Sequence, residues 1–300
     1  MSKKYFLFIV AFLFFLNIFC WREVFVLAGP RYLKVDFLDV GQGDSAFIET
    51  PDGHKILIDG GPDSSVLAKL NELLPFWDKS LDLVILSHPE KDHMAGLLDV
   101  LQRYRIDYFL WTGVIKADAE NKKLADILKN IQSSKQNFML ASVPSKKTKV
   151  ITANAGQEIK AGNVLIDTLF PLENLEGQEL KNTSNDTCIV SKLIFGGTSF
   201  LFTCDISSAA EKKIINSGEN VSSDVLKVAH HGSKYSTSDI FLSVVNPKIA
   251  VISVGAKNTY DHPTTEVLQR LEKFGIKVLR TDKDGDIKME SDGKNISIKK

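Results

Sequence analysis

The chain is predicted to fold as an αββα sandwich, two sheets face to face with helices outside. Three observations carry this. A strand ends at Asp59, a helical segment follows, and an apolar strand ends at His88. The same order recurs later, with a strand ending at Asp205, a helix, and an apolar strand ending at His230-His231. Between them, SHPEKDHMAG (residues 87–96) sets His88, Glu90, Asp92 and His93 at the tip of the apolar run LDLVIL. In a sandwich of two such units the polar tips converge on one edge, so His88 is expected to face Asp205 and His230.

Composition sets the frame. Three hundred residues, 44% hydrophobic and 25% charged, are those of an ordinary globular protein with a core of normal size. Formal net charge is zero, so no global field draws nucleic acid, although a local phosphate site is still open. Three cysteines without a C-x-x-C pair make neither a disulfide framework nor a thiolate zinc site.

The elements follow in order. Lys3 and Lys4 precede YFLFIVAFLFFLNIFCW, an uncharged run from Tyr5 to Trp21 closed by Arg22 and Glu23. Its length lies between a signal-peptide core and a full membrane helix. Residues 1–30 are read as an uncleaved signal anchor, with cleavage after Ala28 as the alternative, and residues 31–300 as the folded domain. The two lysines favour a cytoplasmic N-terminus and a domain outside the cytoplasmic membrane. LKVDFLDV and AFIET are strands around the turn GQGD, and KILIDGG is a third. DSSVLAKLNELL is an amphipathic helix with Asp63, Ser64 or Ser65 as its cap. LDLVILS is a buried strand, AGLLDVLQRYR a helix, DYFLW a strand, and residues 117–135 an exposed helix. Strands and loops over 150–185 end in the polar stretch KNTSND. TCIVSKLIFG and TSFLFTCD form a hairpin about Gly196-Gly197. A helix, the strand DVLKVA and two strand–helix alternations complete the chain.

Imidazole and carboxylate suit zinc, manganese or iron. Two metals bridged by a carboxylate at a strand end, such as Asp205, would clamp a phosphodiester and generate hydroxide near neutral pH. A solvated loop is the bland reading of HPEKDH, but its place between an apolar strand and a helix argues against it. HHGSKYSTS alone reads as a Ser/Gly loop, and NTYDHP as a helix entry with Pro263 at the first position. Two decoys fail. GQGDSA matches G-x-G-x-x-A, but the β-branched and aromatic AFIET follows rather than a helix. DKDGD at 282–286 lacks the calcium-loop glycine and flanking helices, and reads as a β-turn.

On FLDVGQGDSAFIETPDGHKILIDGG, LSHPEKDHMAG, ND-x-C-IV, FLFTCDIS, VLKVAHHGSKYSTS and ISVGAKNTYDHPTTEVLQRL, the chain resembles the metallo-β-lactamase superfamily from about Leu33 to the C-terminus. More narrowly it resembles the extracytoplasmic hydrolase domain of the DNA-uptake channel ComEC and its free-standing relatives. The resemblance implies the metallo-β-lactamase fold and two divalent metal ions, zinc or manganese. It implies metal ligation by His88, Asp92 and His93, a bridging Asp205, and an orienting Asp59. It implies a histidine ligand at His230 or His231; His230 is preferred because it stands nearer the end of the strand VLKVA. His262, or His231, assists the leaving oxygen. Glu90 occupies the second histidine position of the general H-x-H-x-D-H frame and is carried as a ligand whose oxygen favours manganese. Asn185 stands near another usual histidine. Ser233, Lys234 and Ser236 are expected, with Asn185, to grip substrate. Cys188 and Cys204 stand where Ser and Gly are usual and are read as two buried thiols, with a disulfide open to them if their strands pair.

The expected function is metal-dependent hydrolysis of a phosphoester, with nucleic acid as leading substrate and metal-bound hydroxide as nucleophile. Two alternatives stand beside it: hydrolysis of a small ester, lactam or thioester, and a non-catalytic nucleic-acid-binding module with a degenerate metal site. The expected partners are nucleic acid, the membrane through the N-terminal segment, and a channel protein.

Overall fold

The computed structural model describes residues 3–28, 31–132, 147–180 and 184–299. Residues 1–32 and 33–300 form two compact units, each described by itself. The first is built on α1 (Lys3–Ala28). Its stretch Lys3–Trp21 is long and apolar enough to cross a membrane, and its described side chains are exposed.

The second unit opens with β1 (Leu33–Phe37), β2 (Ala46–Glu49) and β3 (Lys55–Ile58), each antiparallel to the one before. Helix α2 (Ser65–Leu73) returns the chain to β4 (Ser80–Ile85), parallel to β3. Helix α3 (Lys91–Arg103) returns it to β5 (Arg105–Trp111), parallel to β4. After the short β6 (Ile115–Lys116) come α4 (Ala119–Gln132) and β7 (Lys149–Thr152), parallel to β5. The second sheet starts with β8 (Glu158–Ala161) and β9 (Val164–Phe170). Strand β10 (Glu179–Leu180) pairs with β6, and β11 (Val190–Phe195) with β12 (Thr198–Phe202) forms the hairpin expected about Gly196-Gly197. Then α5 (Ser208–Ser217), β13 (Val225–Lys227), α6 (Asp239–Val245), β14 (Ile249–Ile252), α7 (Thr265–Lys273), β15 (Lys277–Arg280) and the single turn α8 (Thr281–Asp284) alternate. Helix α5 starts where the Ser207 side chain accepts the Ala210 N–H and stops at Gly218, whose φ of 84° needs no Cβ accommodation.

With β16 (Ile287–Ser291) and β17 (Ile296–Lys299) at the C-terminal end, the large sheets order as β17-β16-β1-β2-β3-β4-β5-β7 and β15-β14-β13-β12-β11-β9-β8. Their inner faces share one core, with Phe37 stacked on Phe202 at 5.7 Å between ring centroids. The outer face of the first sheet is covered by α2, α3 and α4, that of the second by α5, α6 and α7. This is the αββα sandwich.

Three local readings need correction. Helix α4 is not exposed all round: Asn121, Leu124, Leu128 and Ile131 form a buried face. Residues 133–135 of the expected helix lie outside the described residues, as do 181–183 of KNTSND. The segment 282–284 is a helical turn ended by Gly285 rather than a β-turn. After it, β16 (Ile287–Ser291) and β17 (Ile296–Lys299) cross back to the first sheet, where β16 pairs with β1. The alternating burial of Ile287, Met289 and Ser291 is the period-two signal of that strand.

The shared core sets the stability. Phe37→Ala removes a ring 1% exposed from between the sheets. It is expected to cost about 3–5 kcal/mol in chemical denaturation, with the α-helical signal of the remaining fold intact at low denaturant.

Candidate active site

Parallel strands in each half end at the same edge. Ile58 lies beside Ile85 and Leu110; Phe202 lies beside Lys227 and Val251. The loops beyond those residues carry Asp59, His88, Asp205, His230, His231 and Ser253, so the polar tips meet where the two sheets face each other.

Asp59 follows β3 with φ 59°, which turns its carboxylate back under the loop. Its Oδ1 accepts the Ser87 N–H at 2.8 Å, and its Oδ2 accepts the Ser87 hydroxyl at 2.6 Å. Oδ2 also lies 2.8 Å from His93 Nδ1. A carboxylate can only accept, so Nδ1 carries the proton and Nε2 is left for the site. His93 Nε2 is buried, has no hydrogen-bond partner, and stands 3.4 Å from Asp205 Oδ1, which has none either.

His230 and His231 have φ of 51° and 53°, two successive left-handed residues. That turn sends the rings different ways. His231 is buried; its Nδ1 donates to the Ser253 carbonyl at 2.9 Å, and its Nε2 lies 3.2 Å from Asp92 Oδ2 and 3.5 Å from Asp205 Oδ2. The His230 side chain is 33% exposed, with Nε2 3.9 Å from Asp205 Oδ2 and 3.4 Å from Asn185 Nδ2. Ligand atoms of Asp92, His93, Asp205 and His231 lie within 4.8 Å of one another. The group therefore holds His231 where the sequence favoured His230: nearness to the strand end counted for less than the backbone turn.

The charges explain one another. Asp44, Asp59 and Asp205 are buried beside this group. Burial opposes a charged His231, but Asp205 and Asp44 outweigh it and hold the ring at about 10. Burial likewise opposes charge on His93, and Asp205, Asp59 and Asp44 outweigh it. Asp205 is held well below the carboxylate range: burial alone would raise it, and His231 and His93 outweigh burial. The same field that retains a proton on these rings favours a divalent cation in its place. Two imidazoles and two carboxylates, with orphaned buried acceptors, fit such an ion.

Other expected site residues lie elsewhere. His88 is buried, and its Nδ1 is 3.2 Å from Ser87 Oγ and 3.1 Å from Cys204 Sγ. Its ring packs on His93 with centroids 4.2 Å apart, and its Nε2 has no hydrogen-bond partner. Burial and then His93 push it down to about 3, so it is neutral. Glu90 accepts from Lys116 Nζ at 2.6 Å through Oε2, and from the Ser184 N–H (2.8 Å) and hydroxyl (3.0 Å) through Oε1. Both oxygens thus tie neighbouring segments to the start of α3, outside the four-residue group. Ser236 donates to the Ile206 carbonyl at 2.8 Å, Ser233 is buried, and Lys234 lies over the Tyr235 ring. None of these three lines the pocket.

Cys188 and Cys204 form a disulfide with Cα atoms 6.2 Å apart, in place of the two expected thiols. The cause is pairing: Cys188 precedes β11, Cys204 follows β12, and the hairpin brings the two within bonding reach. The Asp205 N–H points at Cys188 Sγ, 3.2 Å away.

Above the group lies a pocket of about 370 Å³ lined by Gln42, Glu90, Asp92, Asn185, Asp205, His230, His231, Tyr260 and His262. His262 precedes a cis peptide bond to Pro263, and Asn258 bonds its backbone N–H and carbonyl at 3.0 and 2.7 Å. Burial, then His231 and His230, push it down to about 4. Two residues escaped the sequence reading. Asp44, in the GQGD turn, pairs with the buried Lys227 and stands 3.3 Å from His231 Nδ1. A lysine inside the apolar strand VLKVA was the available signal; nothing local marked Asp44.

Comparison with known proteins agrees with this architecture. The model of the Metallo-beta-lactamase superfamily matches residues 38–256. ComE operon protein 3 of Bacillus subtilis is 31% identical over 273 residues, covering 85% of this chain and 32% of that protein. Competence protein ComA of Neisseria gonorrhoeae is 41% identical over 115 residues, covering 38% and 17%. The chain thus spans a third or less of the length of these curated relatives. The metallo-beta-lactamase fold protein YhfI from Bacillus subtilis superposes with a TM-score of 0.55 at 16% identity, over 87% of this chain and 100% of that one, a likeness of fold.

Non-reducing peptide mapping of the full chain is expected to recover a Cys188–Cys204 linked pair and a singly alkylated Cys20. Two alkylated thiols at 188 and 204 would contradict the bond.

Proposed function

The chain belongs to the metallo-beta-lactamase superfamily, and on that premise we propose that it is a divalent-metal-dependent hydrolase of phosphodiester bonds, acting on nucleic acid outside the cytoplasmic membrane. The observation that carries the chemistry is the convergence of Asp92, His93, Asp205 and His231 beneath an open pocket. A relative named for competence supports the polymer, because competence is the uptake of DNA. The near-neutral chain confines recognition to the pocket rather than to a wide basic surface.

In this reading Asp92, His93, Asp205 and His231 would hold a cation, and the unpartnered His88 Nε2 would be available to a second. When bound, the metal supplies Lewis acidity, polarising a phosphoryl oxygen and making water acidic enough to attack near neutral pH. Asp59 and the Ser253 carbonyl orient the two imidazoles so that each presents Nε2 to the group. His262, neutral at pH 7, hydrogen-bonds the phosphate or leaving oxygen at the pocket wall. Asn185 and His230 contact the substrate from the opposite loops. Glu90 braces the pocket without ligating metal, so two imidazoles and two carboxylates set the preference, a mixture that admits zinc and manganese alike.

Four variants test the ligand set by metal content and by digestion of plasmid and oligonucleotide. Asp205→Asn is expected to abolish cleavage with the fold retained. His231→Ala is expected to lose more metal than His230→Ala, and Asp59→Asn to weaken metal affinity by about 10–100-fold. Equal metal content in the parent and His231→Ala would overturn the assignment. Cleavage that survives complete chelation would overturn the metal dependence.

The location is tested separately. In this reading α1 anchors the domain outside the cytoplasmic membrane, so protease added to intact spheroplasts is expected to digest it. Full protection would refute the topology.

A further inference from the structure

We propose that the edge of the sandwich opposite the site is a membrane-contact face, seated at headgroup level through Phe76 and Trp77. The proposal rests on the reading of α1 as a membrane anchor. Phe76 and Trp77 are 81% and 74% exposed, and their rings meet edge-on at 4.8 Å. Among the described residues of the second unit they are the exposed phenylalanine and the exposed tryptophan. Tyr108, Leu172, Tyr235, Ile240, Val244 and Tyr260 are the other exposed large apolar side chains of that unit, each less exposed than either member of this pair.

The exposure is built into the fold. The pair forms the tip of the turn between α2 and β4. The Asp78 N–H donates to the Pro75 carbonyl at 2.9 Å. Asp78 Oδ1 accepts the Ser80 hydroxyl at 2.7 Å and the Ser80 N–H at 3.2 Å, and Asp78 also pairs with Lys55. Lys79 Nζ donates to Asn71 Oδ1 at 2.6 Å, and Leu74 is buried beneath. A turn anchored on both sides holds two aromatic rings out in solvent, a standing cost in water that a bilayer interface removes. Tryptophan and its amphipathic ring favour that depth.

Register decides which edge this is. Lys34 pairs with Glu49, Glu49 with Lys55, and Ile56 with Leu83. The first residues of β1, β3 and β4 therefore share one edge, and Asp59 and His88 leave at the other. The chain enters the sandwich at Leu33, on the same edge as the aromatic turn. Residues 22–28 continue α1 beyond Trp21, and the four residues between α1 and Leu33 span at most about 14 Å when extended. A tether of that length gives a weak contact a high effective concentration, so two side chains suffice. Lys34 is matched by Glu49 at 3.1 Å and Lys55 by Asp78, so neither lysine beside the turn adds an unbalanced positive charge. Contact is thus apolar and independent of anionic lipid, and the pocket opens away from the bilayer toward an aqueous polymer.

The test uses the full chain in phosphatidylcholine vesicles, with and without bromine on the acyl chains next to the headgroup. Difference spectra against Trp77→Phe and Trp21→Phe isolate each indole from Trp111. Quenching of Trp77 by brominated lipid, with a blue-shifted emission and protection from aqueous iodide, is the expected result. Trp21 quenched by lipid while Trp77 stays at its solvent emission and iodide-accessible would overturn the contact face and leave the anchor standing. Failure to quench either indole would overturn the anchor reading and the contact face together.

Discussion

The constraint on which the rest of the site depends is the burial of carboxylates where two sheets meet. Asp44, Asp59 and Asp205 have lost nearly all contact with water, and Asp92 stands with them at the pocket floor. Unpaired charges at such depth cost several kcal/mol each. Lys227 answers one of them from the end of a strand that is otherwise apolar. The imidazoles of His93 and His231 answer the others, which is why both rings are so strongly biased toward the charged form. A cation of higher charge answers the same field with fewer partners. The electrostatics of these buried groups and their fitness for a cation are one property.

Holding that arrangement requires stiff backbone, and each half supplies it at a strand end. Asp59 is locked to Ser87 by two hydrogen bonds, which tie the loop after β3 to the loop after β4. In the second sheet the Cys188–Cys204 bond joins the loop carrying Asn185 to the residue before Asp205. His88 lies against that bond and against His93, and so connects the two halves beneath the group. Glu90 and Lys116 fasten the pocket rim. Rigid strand ends with cross-braced loops are what positioning a ligand to within a fraction of an ångström demands.

The same topology gives the scaffold two unlike edges. Parallel strands send their C-terminal ends, with the polar loops, to one edge, and their N-terminal ends to the other. The clustered histidines and carboxylates stand at the first of these edges. The exposed turn at Phe76 and Trp77 falls at the second as a consequence of strand direction, with no separate element built for it.

Much of this was legible in the residues. The repeated strand–aspartate–helix–strand–histidine order determined the sandwich, because apolar period and turn chemistry are local properties. The density of SHPEKDHMAG, with Asp205 at a strand end, pointed to the edge where Asp92, His93, Asp205 and His231 come together, because ligand types cluster where strands leave the core. Tertiary structure alone decided the rest. His231 enters the group and His230 does not, because two consecutive left-handed residues set the ring directions and spacing along the chain carries no such information. Glu90, at the pocket wall, is held by Lys116 and Ser184, both distant in sequence. Cys188 and Cys204 bonded because the hairpin brings the residues flanking its two strands within reach of each other. Asp44 became part of the site because Lys227 and His231 surround it, and a turn aspartate shows its surroundings only when the two sheets close over it. Residue types and their order are written locally, whereas which atoms face one another depends on contacts across the whole fold.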